Sequence, residues 1–315
     1  MSVVETITRG VREDGLLAPA RAVVVLLSGG RDSTCLLDVA AEICGVGAVT
    51  ALHVNYGLRA SADEDERHCG ELCARLGVEL TVEQAGPRPA GNLQAWAREL
   101  RYDAAALLVL SRAADIAAGH TATDQVETIL YRLASSPSRR ALLGMRPRDG
   151  SLIRPLLRFT REQTGEYCSQ RGLRWRDDES NDSDAYARGR VRHGLVPALR
   201  EIHPGAEHNV LALAEILRDE AEVLEILVED ELAGRAEIEL EQLRALPAGL
   251  ARLIVQRLAD GVEGRPTPGT GRRLDDILAL HGIGTTHLDL PGGVRATAVD
   301  GTLSFDRTPD ISREP

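Results

Sequence analysis

A continuous apolar run that leads directly into paired glycines constrains the fold of this chain more than any other feature. Residues 21–27 read RAVVVLL, the pattern of a strand buried on both faces of a parallel sheet. SGGRDS follows at residues 28–33, and a helical apolar periodicity then runs from Thr34 to about Cys44. We therefore expect a strand, a glycine turn and a helix in immediate succession.

Strands and helices continue to alternate along the chain. The patterns predict further strands near 48–54, 78–84 and 115–120 and helices near 61–77, 92–113 and 124–133. Alternation of this kind requires crossover connections, so the predicted fold is α/β, with a doubly wound, Rossmann-like parallel sheet. Ligands of such sheets bind beyond the carboxyl ends of the strands.

Three parts of the chain differ in pattern. Residues 1–205 hold the strand–helix alternation and are predicted to be the catalytic domain. Residues 206–235 are acidic and leucine-rich, which indicates a helical connector. Residues 236–315 are predicted to form a small mixed C-terminal domain, because residues 287–305 have the alternation of paired β-hairpins.

The glycine turn has the composition of a phosphate-binding loop. Gly29 and Gly30 allow positive φ and carry no side chain that would block a phosphate, so successive N–H groups can form an anion nest at the helix start. Ser28 and Ser33 add hydroxyl donors. A carboxylate repels phosphate, so Asp32 suits a loop that binds phosphate together with Mg²⁺. Alone, Ser-Gly-Gly could be a plain turn; the flanking strand and helix favour the phosphate-binding loop.

The basic residues of this chain, 37 in number, are all arginine. A P-loop lysine or a lysine Schiff base is therefore excluded, and phosphate must be held by arginine, backbone N–H groups or a metal ion. The net charge of −11 argues against indiscriminate nucleic-acid binding. Residues 131–200 nevertheless hold 15 Arg against 8 acidic residues. This local excess fits either a directed contact with a polyanion or a chance cluster of solvated charges.

The cysteines and the apolar segments bear on the cellular compartment. Five cysteines occur without a C-x-x-C pair: Cys35, Cys44, Cys69, Cys73 and Cys168. An odd, unpaired set indicates free thiols in a reducing compartment, and the sequence has no run of about 18 apolar residues. We expect a cytoplasmic protein without membrane contact.

Several motifs in a fixed order resemble a known family. SGGRDS is similar to the PP-loop of N-type ATP pyrophosphatases. The following motifs then occur in order: LHVNYGLR (52–59), NLQAWARELRY (92–102), GHTATDQVET (119–128), GM (144–145), IRPLL (153–157), WRDDESND (175–182) and YARGRVRH (186–193). Together they resemble the tRNA(Ile)-lysidine synthase family over about residues 20–205. LDLPGGVRA at 288–296 is similar to that family's C-terminal domain.

The resemblance implies a ligase that uses ATP and Mg²⁺. In this family ATP adenylates the wobble cytidine of an isoleucine tRNA with a CAU anticodon at its carbonyl oxygen, and pyrophosphate leaves. The amine of free L-lysine then displaces AMP to give lysidine. The expected partners are therefore that tRNA, which the C-terminal domain helps to bind, and L-lysine; a homodimer is left open.

The same resemblance implies the residues of the nucleotide site. The expected ATP contacts are Ser28, Gly29, Gly30, Arg31, Asp32, Ser33, His53 and Asn55, the last two near the adenosine. Asp32 and Asp124 are the expected metal ligands. The alternatives are that Asp124 only caps its helix and that His53 and Asn55 are ordinary polar residues at a strand end.

Roles in catalysis and tRNA binding complete the set. His120 is a candidate general base or phosphate partner, and Arg101 a candidate contact to phosphate or base. With Asp32 and Asp124 they form the expected catalytic set; a structural histidine and a surface ion pair are the alternatives.

Five arginines are assigned to tRNA or ATP phosphate contacts: Arg139, Arg140, Arg188, Arg190 and Arg192. The spacing of the last three would place them on one side of an extended or irregular segment, although solvated charge is the alternative. Asp177 and Asp178 are candidates for binding the lysine ammonium.

The sequence departs from the family pattern in two places. Thr123 stands where the family has an acidic residue, so a metal role at that position is in doubt. Residues 134–140, ASSPSRR, replace a glycine-rich segment, and the arginines there could contact tRNA.

Three other functions remain open on sequence. A tRNA thiolation enzyme would share the loop but typically needs paired cysteines. A small-metabolite ligase would not need the basic segment, and an inactive binding module would not need Asp32 and Asp124.

Overall fold

The structure of the chain is a computed structural model that describes residues 1–58, 61–87, 89, 91–136, 138–176 and 187–309. For residues 94, 111 and 112 it describes the backbone only. The chain divides into two compact units, Met1–Glu215 and Ile216–Pro315. The three-part division at 205 and 235 stays a prediction. Within the described ranges, no helix has the length and apolar character to cross a membrane.

A six-stranded sheet organises the first unit. Its strands are β1 (Val23–Leu26), β2 (Val49–Asn55), β3 (Glu79–Gln84), β4 (Asp115–Ala117), β5 (Arg148–Asp149) and β6 (Leu152–Ile153). They lie in the order β3-β2-β1-β4-β6-β5, all parallel except β5, which runs antiparallel to β6. Strands β1, β2 and β3 extend the sheet to one edge, and β4, β6 and β5 extend it to the other. The strand order therefore reverses between β1 and β4, where such sheets open a crevice for ligands.

Ten helices are described up to residue 232. They are α1 (Val3–Glu13), α2 (Arg31–Cys44), α3 (Ala62–Leu76), α4 (Leu93–Arg112), α5 (Ala122–Ser135), α6 (Arg139–Leu142), α7 (Arg161–Gln170), α8 (Ala187–Arg190), α9 (Val196–Ile202) and α10 (Ala206–Leu232). A 3-10 turn at Val46–Ala48 precedes β2, and a π-helical turn at Val191–Leu195 joins α8 to α9.

Helices cover both faces of the sheet, which confirms the predicted fold class. Val23 and Val25 of β1 pack in a core shared with α1, α2, α3 and α7. The alternate residues Val24 and Leu26 pack in a second core with α4. Every residue of β1 and β2 is buried, as expected of central strands covered on both sides.

The second unit has its own core around a four-stranded antiparallel sheet. The strands β7 (Glu237–Glu239), β8 (Thr285–Leu290), β9 (Val294–Val299) and β10 (Thr302–Arg307) lie in the order β7-β10-β9-β8. Helices α11 (Leu240–Ala245), α12 (Ala248–Glu263) and α13 (Leu274–Leu278), with a 3-10 turn at Thr270–Arg273, contribute to the same core. Alternate residues of β9 are buried, so one face of the sheet packs inward. The predicted hairpins are confirmed.

Candidate active site at the switch point of the sheet

The loop at residues 28–33, called here the PP-loop, follows β1 at the reversal of strand order. Gly29 has φ +81°, a conformation that favours glycine. The Ser28 backbone N–H donates to Ser33 Oγ over 3.2 Å, and the two serine hydroxyls lie 3.1 Å apart. The Ser33 hydroxyl also donates to the Gly30 carbonyl over 3.0 Å. The two serines thus fasten the loop to the first turn of α2.

The start of α2 offers donors for an anion. Gly30 occupies the N-cap and therefore has no side chain to accept a hydrogen bond from the first-turn N–H groups. By contrast, Thr121 caps α5 and Thr160 caps α7 through their side chains. An uncapped helix N-terminus beneath a glycine loop is the arrangement that binds phosphate. This geometry fits the phosphate groups of ATP.

Two carboxylates and one guanidinium group lie directly beside the PP-loop. Arg161, the first residue of α7, donates from Nε to Asp32 Oδ2 over 3.4 Å and from Nη2 to Asp124 Oδ1 over 3.0 Å. The hydroxyl of Thr164 donates to Asp32 Oδ1. Burial raises the pKa of Asp32, against the hydrogen bond from Thr164, and the charge of Asp124 adds to the rise. The structure thus brings together the two predicted metal ligands.

Asp124 has a structural partner besides Arg161 in the N-cap of its own helix. Thr121 is the N-cap of α5, and Asp124, three residues later, accepts from both the Thr121 backbone N–H and hydroxyl over 2.8 Å. This capping box fixes the side chain while its other oxygen faces Arg161. Capping and a role in the site are therefore compatible. Thr123, which departs from the family pattern, accepts the Arg161 backbone N–H over 3.2 Å and so helps to place α7.

Gly119 lies against the backbone of the PP-loop helix. A Cβ atom at Gly119 would stand 3.1 Å from the Asp32 carbonyl carbon and the Ser33 nitrogen. Both are backbone atoms, so no side-chain rotation can relieve the contact. We expect Gly119→Ala to lower ATP-dependent pyrophosphate release about tenfold to a hundredfold, because it separates the two loops that form the site. The measurement is a steady-state pyrophosphate assay. Gly47→Ala, with open space around it, is the control; equal activity of both variants would contradict the tight approach.

His120 is half-buried next to Asp124. Its Nδ1 is buried and lacks a hydrogen-bond partner among the described residues. Burial lowers the pKa of His120 to about 4, against the charge of Asp124, while Arg154, Arg98 and Arg188 lower it further. The ring is therefore neutral at pH 7, as a proton acceptor must be.

The depressed pKa of His120 makes folding stability depend on pH. The unfolded histidine takes up a proton near its usual pKa of about 6.5, whereas the folded one does so near pH 4. The native state therefore loses stability as the pH falls from about 6.5 to 4, by at most about 3 kcal/mol. We expect His120→Gln to remove this loss. Urea unfolding of both proteins between pH 7.5 and 4 tests it; parallel curves would show that His120 titrates normally.

Three other predicted residues are engaged with neighbouring elements. His53 is buried, with Nδ1 2.9 Å from the Leu27 carbonyl just before the PP-loop. Asn55 donates to Asp63 and Glu66 of α3 over 3.2 and 2.8 Å. His53 therefore supports the end of β1 before the PP-loop, and Asn55 joins the end of β2 to α3. Their contact with adenosine stays a prediction. Arg101 donates from Nε to the Tyr56 hydroxyl over 3.2 Å, and its catalytic role also stays a prediction.

The arginines assigned to tRNA do not share one side of an extended segment. Residues 187–195 are helical, so the expectation of an extended or irregular segment is wrong. Arg188 and Arg190 are exposed, whereas Arg192 turns inward and donates to both carboxylate oxygens of Glu127 over 2.6 and 3.0 Å. The exposed Arg140 and the half-buried Arg139 lie in α6, and Arg31 has its aliphatic chain near Gly165. The tRNA contacts of these residues stay predictions.

Comparison with known proteins assigns the family. Residues 3–199 match the family described as PP-loop domain. The tRNA(Ile)-lysidine synthase of Geobacter sulfurreducens is 33% identical, over 98% of this chain and 70% of that protein. The chain belongs to the tRNA(Ile)-lysidine synthase family. The tRNA(Ile)-lysidine synthase of Solibacter usitatus is 34% identical over 79% of this chain and 59% of the relative, so the chain spans less than two thirds of that protein.

A solved structure shares the fold of this chain at low sequence identity. The U34-tRNA thiolase of Methanococcus maripaludis, determined with its [4Fe-4S] cluster, has a TM-score of 0.57 and 16% identity. The match covers 69% of this chain and 79% of that one. All five cysteines of the present chain are free and buried.

Mg²⁺ fits the residues of this candidate site. Mg²⁺ in nucleotide enzymes is commonly held by one or two carboxylates together with substrate phosphates. Asp32 and Asp124 supply such a pair at the PP-loop, joined by Arg161. In the part of the chain that the structure describes, no group of three or more His, Cys, Asp or Glu side chains is placed to hold a metal ion. Asp177 and Asp178, the candidates for lysine binding, lie outside the described residues.

Arg161 and Thr164 are the site residues that the sequence patterns do not predict. Arginine followed by Glu-Gln reads as the ordinary first turn of a helix. The available signal was the capping box of Thr160 and Gln163, which marks a helix start directly after the IRPLL motif. A helix that starts there points its first side chains at the PP-loop.

Proposed function

We propose that this protein uses ATP to ligate L-lysine to the wobble cytidine of an isoleucine tRNA with a CAU anticodon. The observation that carries the proposal is the convergence of an uncapped PP-loop helix with Asp32 and Asp124 in a chain of the lysidine synthase family. AMP and pyrophosphate are the other products.

The reaction proceeds in two balanced steps. The carbonyl oxygen of cytidine attacks the α-phosphorus of ATP, and the bond to pyrophosphate breaks. The lysine amine then attacks the cytidine ring carbon that carries this oxygen. The bond between that carbon and the oxygen breaks, and AMP leaves. A proton is lost from the amine during this second step. Activation is needed because the carbonyl oxygen by itself is a poor leaving group.

The PP-loop serves the first step. Negative charge builds on the leaving pyrophosphate, and the N–H groups at the start of α2 are already oriented toward such an anion. Mg²⁺ held by Asp32 and Asp124 would add charge stabilisation at the phosphates. Because the chain has no lysine, any permanently charged side chain that assists must be an arginine.

The neutral ring of His120 suits the transfer of a proton. It lies next to Asp124, and its buried Nδ1 has no partner among the described residues. A neutral imidazole in this position could accept the proton that the lysine amine releases. Assignment of the proton acceptor to His120 belongs to the proposal.

The proposal is tested by measuring AMP and pyrophosphate release from Mg·ATP with an isoleucine tRNA carrying the CAU anticodon, with and without L-lysine. We expect AMP release that requires both lysine and this tRNA, and none with methionine tRNA. Release without any tRNA would indicate a small-metabolite ligase instead. No release under any of these conditions would overturn the proposal in favour of a binding module.

A further inference from the structure

Four arginines from four different parts of the fold lie within electrostatic reach of one another and are called here the arginine cluster: Arg98 of α4, Arg132 of α5, Arg154 after β6 and Arg188 of α8. The charges of Arg98, Arg154 and Arg188 also act on His120. Two of them hold the same turn. Arg132 donates to the Gly144 carbonyl over 2.8 Å, and Arg154 donates to the Arg146 carbonyl over 2.6 Å. Their guanidinium groups are thereby fixed near each other.

The arginine cluster forms no ion pair within the part of the chain that the structure describes. The charge of Asp149 acts on Arg154 from a greater distance, and Arg98 lies over the Tyr102 ring at 4.8 Å. The neighbouring Arg161 and Arg192, by contrast, are both paired with carboxylates.

One buried donor within the cluster lacks a hydrogen-bond partner. Arg154 is 6% exposed, and its Nε has no partner among the described residues. Burial lowers the pKa of Arg154; the charges of Tyr102 and Asp149 act against this, and those of Arg98 and Arg132 add to it. Burial likewise lowers the pKa of Arg132, with Arg188 and Arg98 acting in the same direction. Like charges held together with an unused buried donor form a site prepared for an anion.

We propose that the arginine cluster is a second phosphate site, separate from the PP-loop. The identity of its ligand rests on the proposed function. Asp32 belongs to the PP-loop, whereas Arg98, Arg154 and Arg188 act on His120, which lies next to Asp124. In an in-line displacement the attacking nucleotide and the leaving pyrophosphate lie on opposite sides of the α-phosphorus. A backbone phosphate beside the acceptor cytidine is therefore the favoured source, and a phosphate of ATP is the other.

The test compares Arg98→Gln, Arg132→Gln and the double variant with the wild-type protein. Arg154 is left unchanged, because its burial makes misfolding a confounding result. The matched controls are Arg158→Gln and Arg174→Gln, both of exposed arginines paired with surface carboxylates. Three quantities are measured: tRNA affinity over a range of salt concentrations, affinity for Mg·ATP alone, and the rise in thermal midpoint with inorganic phosphate.

A backbone-phosphate site predicts a defined pattern. Each single variant should bind tRNA about three- to tenfold more weakly and reduce the salt slope by about 0.7 to 0.9, while affinity for Mg·ATP stays unchanged. A loss of Mg·ATP affinity with an unchanged tRNA slope would assign the site to a phosphate of ATP. The proposal is overturned if the double variant matches the controls in all three measurements.

The phosphate measurement separates this proposal from the proposed function. If the wild-type protein does not bind tRNA, the proposed function fails. Phosphate binding by the arginine cluster can still be measured through thermal stability. Inorganic phosphate should then raise the thermal midpoint of the wild-type protein more than that of the double variant, because a ligand of the native state stabilises it. Equal rises would show that only the PP-loop binds phosphate.

Discussion

Replacing Asp32 by alanine should lower tRNA-dependent pyrophosphate release about a thousandfold, or by about 4 kcal/mol of activation free energy. Asp32 is fixed by the hydroxyl of Thr164 and by Arg161 at the phosphate end of the PP-loop. Its loss removes one of the two carboxylates proposed to hold Mg²⁺ and leaves Arg161 with Asp124 alone. The binding of tRNA should be retained within about threefold, because no basic residue changes.

The carboxylate of Asp14 provides the control for Asp32. Asp14 accepts a hydrogen bond from Arg158 over 2.9 Å, and burial raises its pKa as it does that of Asp32, but it lies at the end of α1, away from the PP-loop. Asp14→Ala should therefore keep its activity. Pyrophosphate release and tRNA binding by filter retention are measured for both variants. Full activity of Asp32→Ala would remove the metal role of this residue.

The central part of the fold follows from local patterns. The run RAVVVLL is apolar on both faces and became β1, with every residue from Val23 to Leu26 buried. A parallel sheet then places the loops after β1 and β4 at one edge, which is why Asp32 and Asp124 could be paired from sequence. The helices at 62–76, 93–112 and 206–232 were likewise visible as periodic segments.

Other parts depend on contacts that local patterns do not encode. Strands β5 and β6 have two residues each, too short for a recognisable alternation. The spacing of Arg188, Arg190 and Arg192 has period two, yet the segment is helical and places Arg192 against the buried Glu127. The position of Arg161 depends on where α7 docks, 129 residues along the chain from Asp32. Tertiary contacts of this range are invisible to a reading of one sequence.

The placement of Arg161 leads to the prediction with the second-largest effect. A single guanidinium group lies within 3.4 Å of Asp32 and 3.0 Å of Asp124, where a divalent cation would share the same oxygens. Arg161→Met should therefore let Mn²⁺ bind about tenfold more tightly in the absence of ATP, because a competing positive charge is removed. Pyrophosphate release should nevertheless fall about a hundredfold, because the two carboxylates lose the donor that orients them at the phosphates.

Opposite changes in metal affinity and activity distinguish this role from simple structural support. A variant that only loosened the site would weaken Mn²⁺ binding and activity together. Arg158→Met, three residues earlier and paired with Asp14, should change neither. Mn²⁺ affinity is read by titration calorimetry and by the electron paramagnetic resonance of the free ion. Unchanged or weaker Mn²⁺ binding in Arg161→Met would mean that Asp32 and Asp124 do not form one cation site. In that case the guanidinium group itself, rather than a metal, would be the charge that joins the two carboxylates.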